Sequence, residues 1–249
     1  MYTCASCTVR ACRSGDKDNL PKNCPIREED LVGQVLEEYH QPENLDFYVT
    51  SSSIEAIGYG EWVRVRETME FCRRMGYHKL GLAFCGGLHE EARVLAKILR
   101  DNGFEVVSVV CKVGAVDKCQ AGMTDEQKVK PGQYEPMCNP IMQAKLLNEA
   151  RTDLNLVVGL CVGHDSLFYK YSEALATTAV TKDRVTGHNP AAALYTAESY
   201  YSKLMKKQEK KKKGECFSPS SDKRHQPLSH RTIPEPIRSL GRTSKPSFS

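Results

Sequence analysis

The sequence predicts an α/β fold: a three-layer sandwich with a mostly parallel β-sheet, preceded by a cysteine-rich metal knuckle and a helical segment. From Lys79 onward, short apolar runs alternate with segments of helical periodicity, which is the pattern of parallel βαβ units with right-handed crossovers. The apolar runs are nearly continuous, as expected for strands that are covered on both faces of the sheet.

The elements before the sheet follow from apolar spacing and from the cysteines. Residues 1–27 form the cysteine-rich knuckle, which has too little apolar sequence to build a core of its own. Apolar residues then recur at helical spacing over three successive stretches. The predicted helices cover 28–40, 43–57 and 61–75 of a helical segment that spans 28–78 and packs on the main domain.

The predicted α/β domain spans 79–204. Its first strand, LGLAF, leads into an amphipathic helix that ends at Asn102-Gly103, a helix-stop signal. Two later helices begin with Asn-Pro, because Asn caps a helix and Pro fits its first turn. The predicted strands cover 80–84, 104–110, 154–160 and 174–181, and the predicted helices cover 89–103, 139–150 and 189–204.

The formal net charge of +4 divides unevenly along the 249 residues. Residues 203–249 carry +9 and the remainder carries −5, so the folded part offers no basic groove for specific nucleic-acid binding. The predicted basic tail, 205–249, is rich in Lys, Ser and Pro and has too few large apolar residues to fold alone. We expect a disordered, solvated extension with Cys216 as an exposed thiol.

Localisation in the cytoplasm is the expectation from the sequence. An apolar run of about 18 residues, as a membrane span requires, is absent, and the start Met1-Tyr2-Thr3-Cys4 lacks the basic and apolar regions of a secretory signal. Cytosolic thiols stay reduced, so eleven cysteines favour metal ligation or thiol chemistry over disulfides.

Four cysteines near the start predict a metal site. Cys4, Cys7, Cys12 and Cys24 have the spacing C-x2-C-x4-C-x11-C, and a C-x-x-C turn brings two thiolates within reach of one ion. Metal binding would supply the folding energy that this short segment lacks. Zinc and an iron–sulfur cluster both fit four thiolates. A redox C-x-x-C pair and unconnected cysteines are the other interpretations.

A second set of cysteines lies at element boundaries of the predicted sheet. Cys85, Cys111 and Cys161 each directly follow a predicted strand, and Cys138 directly precedes a predicted helix. The carboxyl ends of parallel strands meet at one edge, where open α/β sheets bind ligands. We therefore predict a crevice in which these four thiols bind a metal or cofactor. Ordinary burial of the thiols as small apolar side chains is the alternative.

Polar residues near the same edge are candidates for proton transfer. Cys161 is followed by His164 and Asp165, and His188 precedes the last predicted helix just as Cys138 precedes its own. If the site is catalytic, these are the candidates for nucleophile and acid or base: Cys161, His164, Asp165 and His188. The connection 112–137 is long enough to be functional, and we expect a lid over the crevice, with Cys119 as a weaker ligand candidate.

Several motifs, in order along 1–204, resemble one family. They are CASCTVRAC…NCP, GYGEWVRVRE, FCGGLHEEARVLAKIL, KPGQYEPMCNPIMQAKLLN, DLNLVVGLCVGHDSLF and KDRVTGHNPAAALY. Together they are similar to the bacterial and archaeal predicted metal-binding family known as domain of unknown function eighteen-forty-seven. The resemblance implies metal binding through cysteines and no established reaction. By this resemblance, the family has two sets of cysteine motif positions. The N-terminal motif corresponds to Cys4, Cys7, Cys12 and Cys24, and the positions at strand ends correspond to Cys85, Cys111, Cys138 and Cys161.

Three functions compete. The one we favour is a metalloprotein with both cysteine sites; if both hold iron–sulfur clusters, it is a redox module that serves a redox partner protein. The second is a thiol-dependent enzyme with structural zinc, in which Cys161 or Cys85 is the nucleophile and His164 or His188 the base. The third is a zinc-stabilised binding protein that senses a metal or small molecule. The chain has no dinucleotide fingerprint, Walker A sequence or G-x-S-x-G elbow.

Overall fold

Helices and strands alternate through most of the chain that the computed structural model describes, which is residues 1–206. The predicted tail lies almost wholly outside the described residues, as does Cys216. None of the helices within 1–206 combines the length and the apolar character that crossing a bilayer requires. The helices are α1 (Glu29–Tyr39), α2 (Pro42–Gly58), α3 (Arg64–Arg74), α4 (His89–Asp101), α5 (Pro140–Glu149), α6 (His164–Tyr171) and α7 (Ala191–Tyr195), and the strands are β1 (Lys79–Phe84), β2 (Glu105–Val110), β3 (Leu154–Val158) and β4 (Ala176–Val180).

The four strands form one parallel sheet in the order β2-β1-β3-β4. The last residue of β1, Phe84, pairs with Val110 on one side and with Val158 on the other, so the carboxyl ends of three strands are level. This arrangement confirms the predicted α/β class. It also means that the residues that follow β1 lie between those that follow β2 and β3.

Helices cover both faces of the sheet. Right-handed crossovers in this strand order put α4 on one face and α5 with α6 on the other. On the second face, Gly81 of β1 has no room for a side chain: a Cβ there would lie 1.8 Å from Oδ1 of Asn155, its partner in β3, and 3.0 Å from a methyl group of Leu147 in α5. The helical segment contacts the sheet edge through Arg64, which donates hydrogen bonds to the Thr178 carbonyl and the Thr177 hydroxyl of β4.

The core lies between these layers. Its fully buried members include Leu80, Leu82 and Leu156 of the sheet and Phe168 of α6. Cys72, whose spacing with Met69 and Met75 is that of a core position, is completely buried in α3. The burial of apolar strand residues explains why their sequences lack an alternating polar face.

The predicted helix over 189–204 is wrong in extent, because α7 covers only Ala191–Tyr195. At Thr196 the backbone leaves the helical region, and the Thr196 hydroxyl donates a hydrogen bond to the Ala192 carbonyl instead. Hydroxyl side chains that bond locally to the backbone compete with helix continuation in this way. Asn189 also provides no side-chain cap for α7, in contrast to the cap predicted there.

Two further differences affect the site. The strand predicted over 154–160 ends at Val158, because Gly159 turns the chain with φ +64° and a Cβ there would lie 2.4 Å from a Leu88 methyl group. Cys161 therefore does not directly follow its strand. No helix was predicted directly after Cys161, but the short helix α6 begins there at His164.

Candidate functional site

Three cysteines meet at the carboxyl edge of the sheet, and backbone hydrogen bonds hold them there. Cys85 directly follows β1, and its N–H donates to the Val158 carbonyl at 3.0 Å. Cys111 directly follows β2, and its N–H donates to the Phe84 carbonyl at 2.8 Å. The segment with Cys138 is attached by a 2.7 Å bond from the Asn139 N–H to the Cys111 carbonyl. We call Cys85, Cys111 and Cys138 the carboxyl-edge triad.

Within the triad, Cys111 lies next to both Cys85 and Cys138, close enough for its thiol to affect the ionisation of each. Two backbone amides of the turn after β1 also point at sulfur: the Gly86 N–H donates to Cys111 Sγ and the Gly87 N–H to Cys85 Sγ, each at 3.4 Å. Cys85 and Cys111 are buried and Cys138 is half-buried. The three cysteines thus form one group.

Two lysines contact the outer sulfurs of the triad. The Lys182 ammonium group, from the loop after β4, contacts Cys85 Sγ. The Lys112 ammonium group lies 3.5 Å from Cys138 Sγ and donates a 2.6 Å hydrogen bond to the Pro136 carbonyl. Each outer cysteine therefore has a cation of its own, which favours the thiolate form.

These contacts separate the ionisation of the three thiols. The hydrogen bond from Cys111, followed by that from Lys182, lowers the pKa of Cys85 to about 4 against the effect of burial. The hydrogen bond from Cys111 and the charge of Lys112 lower the pKa of Cys138 to about 5. The pKa of Cys111 is strongly raised, because its proton is shared with both neighbours and because it is buried. At neutral pH the triad is one buried thiol between two thiolates.

The long connection 112–137 is built around buried ion pairs. The Lys128 ammonium group lies 3.1 Å from Asp117 and 3.2 Å from Asp125, with its side chain only 6% exposed, and Lys118 pairs with Glu135. Backbone amides of Cys119 and Glu135 keep the pKa of Asp117 well below its usual range. This network fixes the loop that leads to Cys138. The role of this loop as a lid stays a prediction. Cys119 is exposed and is not a member of the triad.

Cys161, the fourth predicted thiol at this edge, has a different environment. It is half-buried, and the cation at its sulfur is the Arg184 guanidinium, 3.5 Å away. No hydrogen bond within residues 1–206 joins its sulfur to the triad. Cys161 therefore remains a candidate ligand or nucleophile separate from the three contacting sulfurs.

Two of the predicted acid–base residues are joined to Cys161 through the backbone: the N–H groups of His164 and Asp165 donate to the Cys161 carbonyl at 2.9 Å and 3.2 Å. The His164 Nδ1 atom is buried without a hydrogen-bond partner in the described part of the chain, and the side chain lies near Cys138. Asp165 accepts a hydrogen bond from the N–H of the next residue. His188 is held in the left-handed region with φ +66°, and its Nδ1 accepts a bond from the Asp183 N–H. A role for His188 as acid or base stays a prediction.

The N-terminal knuckle brings three of its four predicted ligands to one pocket. Cys4, Cys7 and Cys24 line a cavity of about 260 Å³, whereas Cys12 is not among its lining residues. The Cys7 N–H donates a hydrogen bond of 3.1 Å to the Cys4 carbonyl. The Asn23 side-chain amide donates one of 2.7 Å to the Thr3 hydroxyl, which joins the two ends of the knuckle. Apolar burial is minimal, with Ala11 the one buried apolar residue of the range 1–27.

In residues 1–206, no set of three or more His, Cys, Asp and Glu side chains is gathered closely enough, as it stands, to hold a metal ion. The side chains of both predicted metal sites would therefore have to move closer together to bind one.

Sequence reasoning missed two residues that organise the triad. Lys112 directly follows Cys111 and contacts Cys138, and Gln143 of α5 is completely buried. The Gln143 amide donates to the Val109 carbonyl at 2.7 Å and to the Phe84 carbonyl at 3.2 Å, so it joins the ends of β1 and β2 directly before the two cysteines. The sequence signal that could have identified Gln143 is its position as a single amide side chain on the apolar face of the helix predicted over 139–150.

The fold and the site together define a cysteine-rich α/β protein with a thiol cluster at the carboxyl edge of a parallel sheet. Comparison with known proteins places it more narrowly: the chain belongs to the family described as Protein of unknown function (DUF1847), whose model matches residues 24–179. It is 46% identical over 202 residues to the uncharacterized protein MJ0455 of Methanocaldococcus jannaschii, covering 81% of this chain and 97% of that relative. No solved structure matches the chain.

Proposed function

We propose that the protein is a metal-binding protein whose principal site is the carboxyl-edge triad. The observation that carries the proposal is the meeting of three cysteine sulfurs from separate parts of the chain, with the unpartnered Nδ1 of His164 beside them. Buried polar atoms normally have a hydrogen-bond partner, so a buried imidazole nitrogen without one is an available ligand.

The donor set fits the groups that the family resemblance implies. Cysteine sulfur and imidazole nitrogen are the preferred ligands of zinc, and cysteine sulfur is the usual ligand of iron–sulfur clusters. Cys85, Cys111 and Cys138 would hold the metal, with His164 or Cys161 as the fourth ligand. When bound, a cluster would supply one-electron chemistry, whereas zinc would act as a Lewis acid.

The two lysines prepare the site for a cation. A metal binds only deprotonated thiols, so a site made of neutral cysteines releases protons before it is loaded. Lys182 and Lys112 keep Cys85 and Cys138 ionised in the metal-free chain. Displacement of an ammonium group by a divalent ion then leaves the negative charge of the site compensated, with only the proton of Cys111 to be lost.

The knuckle provides the second proposed site, for zinc or an iron–sulfur cluster held by Cys4, Cys7, Cys12 and Cys24. The pocket between Cys4, Cys7 and Cys24 supports it, and the exposed Cys12 joins by movement of the turn at 11–13. If both sites hold clusters, the protein passes electrons between them and to a redox partner protein. Reduced thiols at both sites agree with a cytoplasmic location.

One observation favours a second function, a thiol-dependent enzyme. The contact between Lys182 and Cys85 is the arrangement that activates a cysteine nucleophile. In this alternative, Cys85 rather than Cys161 is the reactive thiol, and the knuckle site is structural zinc.

Metal analysis of protein purified without oxygen tests the proposal. Iron, zinc and acid-labile sulfide would be measured for the wild type, for Cys111→Ser, and for Cys72→Ser as a matched control in which a buried cysteine outside both sites is changed. We expect Cys111→Ser to lose the metal of one site and Cys72→Ser to retain all of it. Equal metal content in the wild type and Cys111→Ser contradicts the proposal, and rapid alkylation of Cys85 alone would then support the thiol enzyme.

A further inference from the structure

A second surface of interest lies on the helical segment, on helix α1. α1 contains no buried residue, although an apolar stripe runs along it. Leu31, Val35 and Tyr39 repeat every four residues on one face of the helix, and they are 55%, 43% and 43% exposed. An isolated helix of 11 residues is marginal in water, because most helical stability in proteins comes from packing of an apolar face. The stripe is therefore the kind of face that a partner covers.

A groove between α1 and α2 continues the apolar stripe. Its volume is about 760 Å³, and its walls include Val35 and Tyr39 of α1 and Phe47 and Tyr48 of α2. The rings of Tyr39 and Tyr48 contact each other across the groove at a centroid distance of 4.9 Å. Phe47 also lines a second apolar cavity of about 420 Å³ next to it, so the apolar surface is larger than the groove alone.

The two helices that form this groove carry charge of one sign, whereas Arg64 and Arg74 of α3 line the neighbouring cavities. Residues 28–60, which contain α1 and α2, include eight Asp and Glu residues and no Lys or Arg. Two of the carboxylates, Glu38 and Glu43, are exposed on the rim of the groove. No salt bridge within the described residues involves any of the eight. The surface therefore combines apolar and aromatic side chains with uncompensated negative charge.

We propose that the groove between α1 and α2 binds a basic amphipathic helix of a partner protein. A helix presents apolar side chains at i, i+4 and i+7, which fit a groove of this kind, while Lys and Arg beside them meet Glu38 and Glu43 on the rim. A symmetric contact with a second copy would place the two sets of carboxylates against each other, and an anionic membrane or a nucleic acid is repelled. This inference is independent of metal binding at the cysteines.

A binding measurement on the full chain tests the proposal. The probe is a fluorescein-labelled synthetic peptide of about 18 residues, or five helical turns, with Leu on one face and Lys on the other. Two comparison peptides have the same composition in scrambled order and Glu in place of Lys. We expect only the basic amphipathic peptide to bind, to become helical on binding, and to slow hydrogen exchange in α1 and α2.

Charge reversal at the rim provides the matched variants. The double variant Glu38→Lys/Glu43→Lys is expected to weaken peptide binding at least about tenfold, and the weakening diminishes as salt screens the charges. The control, Glu91→Lys/Glu149→Lys, makes the same change at two exposed glutamates of α4 and α5 that do not line the groove and leaves binding unchanged. Val35→Ser, which retains every charge, is expected to weaken binding as well.

Four outcomes overturn the proposal. Equal loss of binding in both charge-reversed variants shows only a general attraction, and protection outside α1 and α2 moves the site elsewhere. Carbodiimide cross-links from Glu38 or Glu43 to lysines at 206–213 of the same monomer show that the chain's own basic segment covers the groove. Sedimentation that gives a dimer, lost in Val35→Ser, shows that a second copy does.

Discussion

The two cysteine-rich regions of this protein are organised in different ways. In the knuckle, the cysteines are exposed or half-buried and are held by short turns with almost no apolar burial around them. At the carboxyl edge, Cys85 and Cys111 are buried, and a parallel sheet fixes both in register. The first set therefore has little packing to fix it, whereas the second is placed by the fold.

The two regions therefore differ in what stabilises them and in how reactive we expect their cysteines to be. A segment without a core gains its stability from the metal, so its cysteines need only the correct spacing. A site on a stable sheet can hold thiolates next to lysines and a buried thiol, and this arrangement prepares the sulfurs for binding or chemistry. Four changes test the contrast, in order of decreasing expected effect.

Metal removal is expected to have the largest effect, and only on the knuckle. Structural metal sites of this kind contribute about 10 kcal/mol or more to folding, so the metal-free knuckle should unfold. Chelation under reducing conditions should make trypsin cleave after Arg10, Arg13, Lys17 and Lys22 at least about a hundredfold faster, while strands β1 to β4 stay protected from hydrogen exchange. Cleavage at the same rate with and without chelator would contradict a metal-dependent knuckle.

Gly81→Ala should damage the carboxyl edge without affecting the knuckle. The added Cβ would lie 1.8 Å from the buried Asn155 oxygen, which accepts a hydrogen bond from Thr152 and cannot move freely. We expect a loss of about 3 kcal/mol in the free energy of unfolding, measured in urea. Gly33→Ala in α1, where nothing lies within 4 Å of the added carbon, is the control and should be neutral or stabilising. Similar stability of both variants would disprove the tight contact between Gly81 and the Asn155 side chain.

Gln143→Met should have a smaller effect, centred on the triad. The variant keeps the side-chain length but removes the hydrogen bonds to the Val109 and Phe84 carbonyls. We expect a loss of about 1–2 kcal/mol in stability, together with weaker metal binding at the carboxyl edge only. Isothermal titration with zinc of the metal-free protein separates the two sites. A variant that loses stability but binds zinc normally at both sites would limit Gln143 to a structural role.

Lys182→Met should have the smallest effect, on reactivity rather than on folding. Cys85, with a pKa of about 4, is a thiolate at pH 6, and removing the Lys182 cation raises that pKa. We expect iodoacetamide to modify Cys85 of the metal-free variant about tenfold more slowly at pH 6, with the difference disappearing near pH 9.5, where both forms are ionised. Lys97→Met, on the exposed face of α4, is the control; an equal effect there would exclude a specific pairing.

The same ionisation links the stability of the metal-free fold to pH. The pKa of Cys85 is lower in the folded chain than the ordinary value of about 8.5 that it has when unfolded. The stabilisation by its thiolate is therefore fully present above about pH 8.5 and decreases as the pH falls toward 4. Urea unfolding of the wild type and Lys182→Met between pH 4.5 and about 8.5 should show a smaller pH dependence in the variant.

Much of the fold was accessible from the residues alone. The apolar runs after Lys79 predicted all four strands within two residues, because strands buried on both faces have a strong and local signal. The prediction of a helix over 189–204 was wrong in extent, because a local hydrogen bond from Thr196 accompanies its early end. Helix α6 was not predicted, because its eight residues have only weak helical periodicity.

By itself, the sequence determined the parallel α/β class, the family, and the positions of Cys85 and Cys111 at strand ends. These depend on periodicity and spacing, which are local properties of the chain. Only the tertiary structure decided which cysteines meet: it joined Cys138 to the pair and left Cys161 with Arg184. The physical reason is that sulfur contacts depend on strand order and on one turn, at Gly159, whose left-handed backbone moves Cys161 away from its strand end. Lys182 reaches Cys85 across 97 residues of sequence, a pairing that no local pattern encodes.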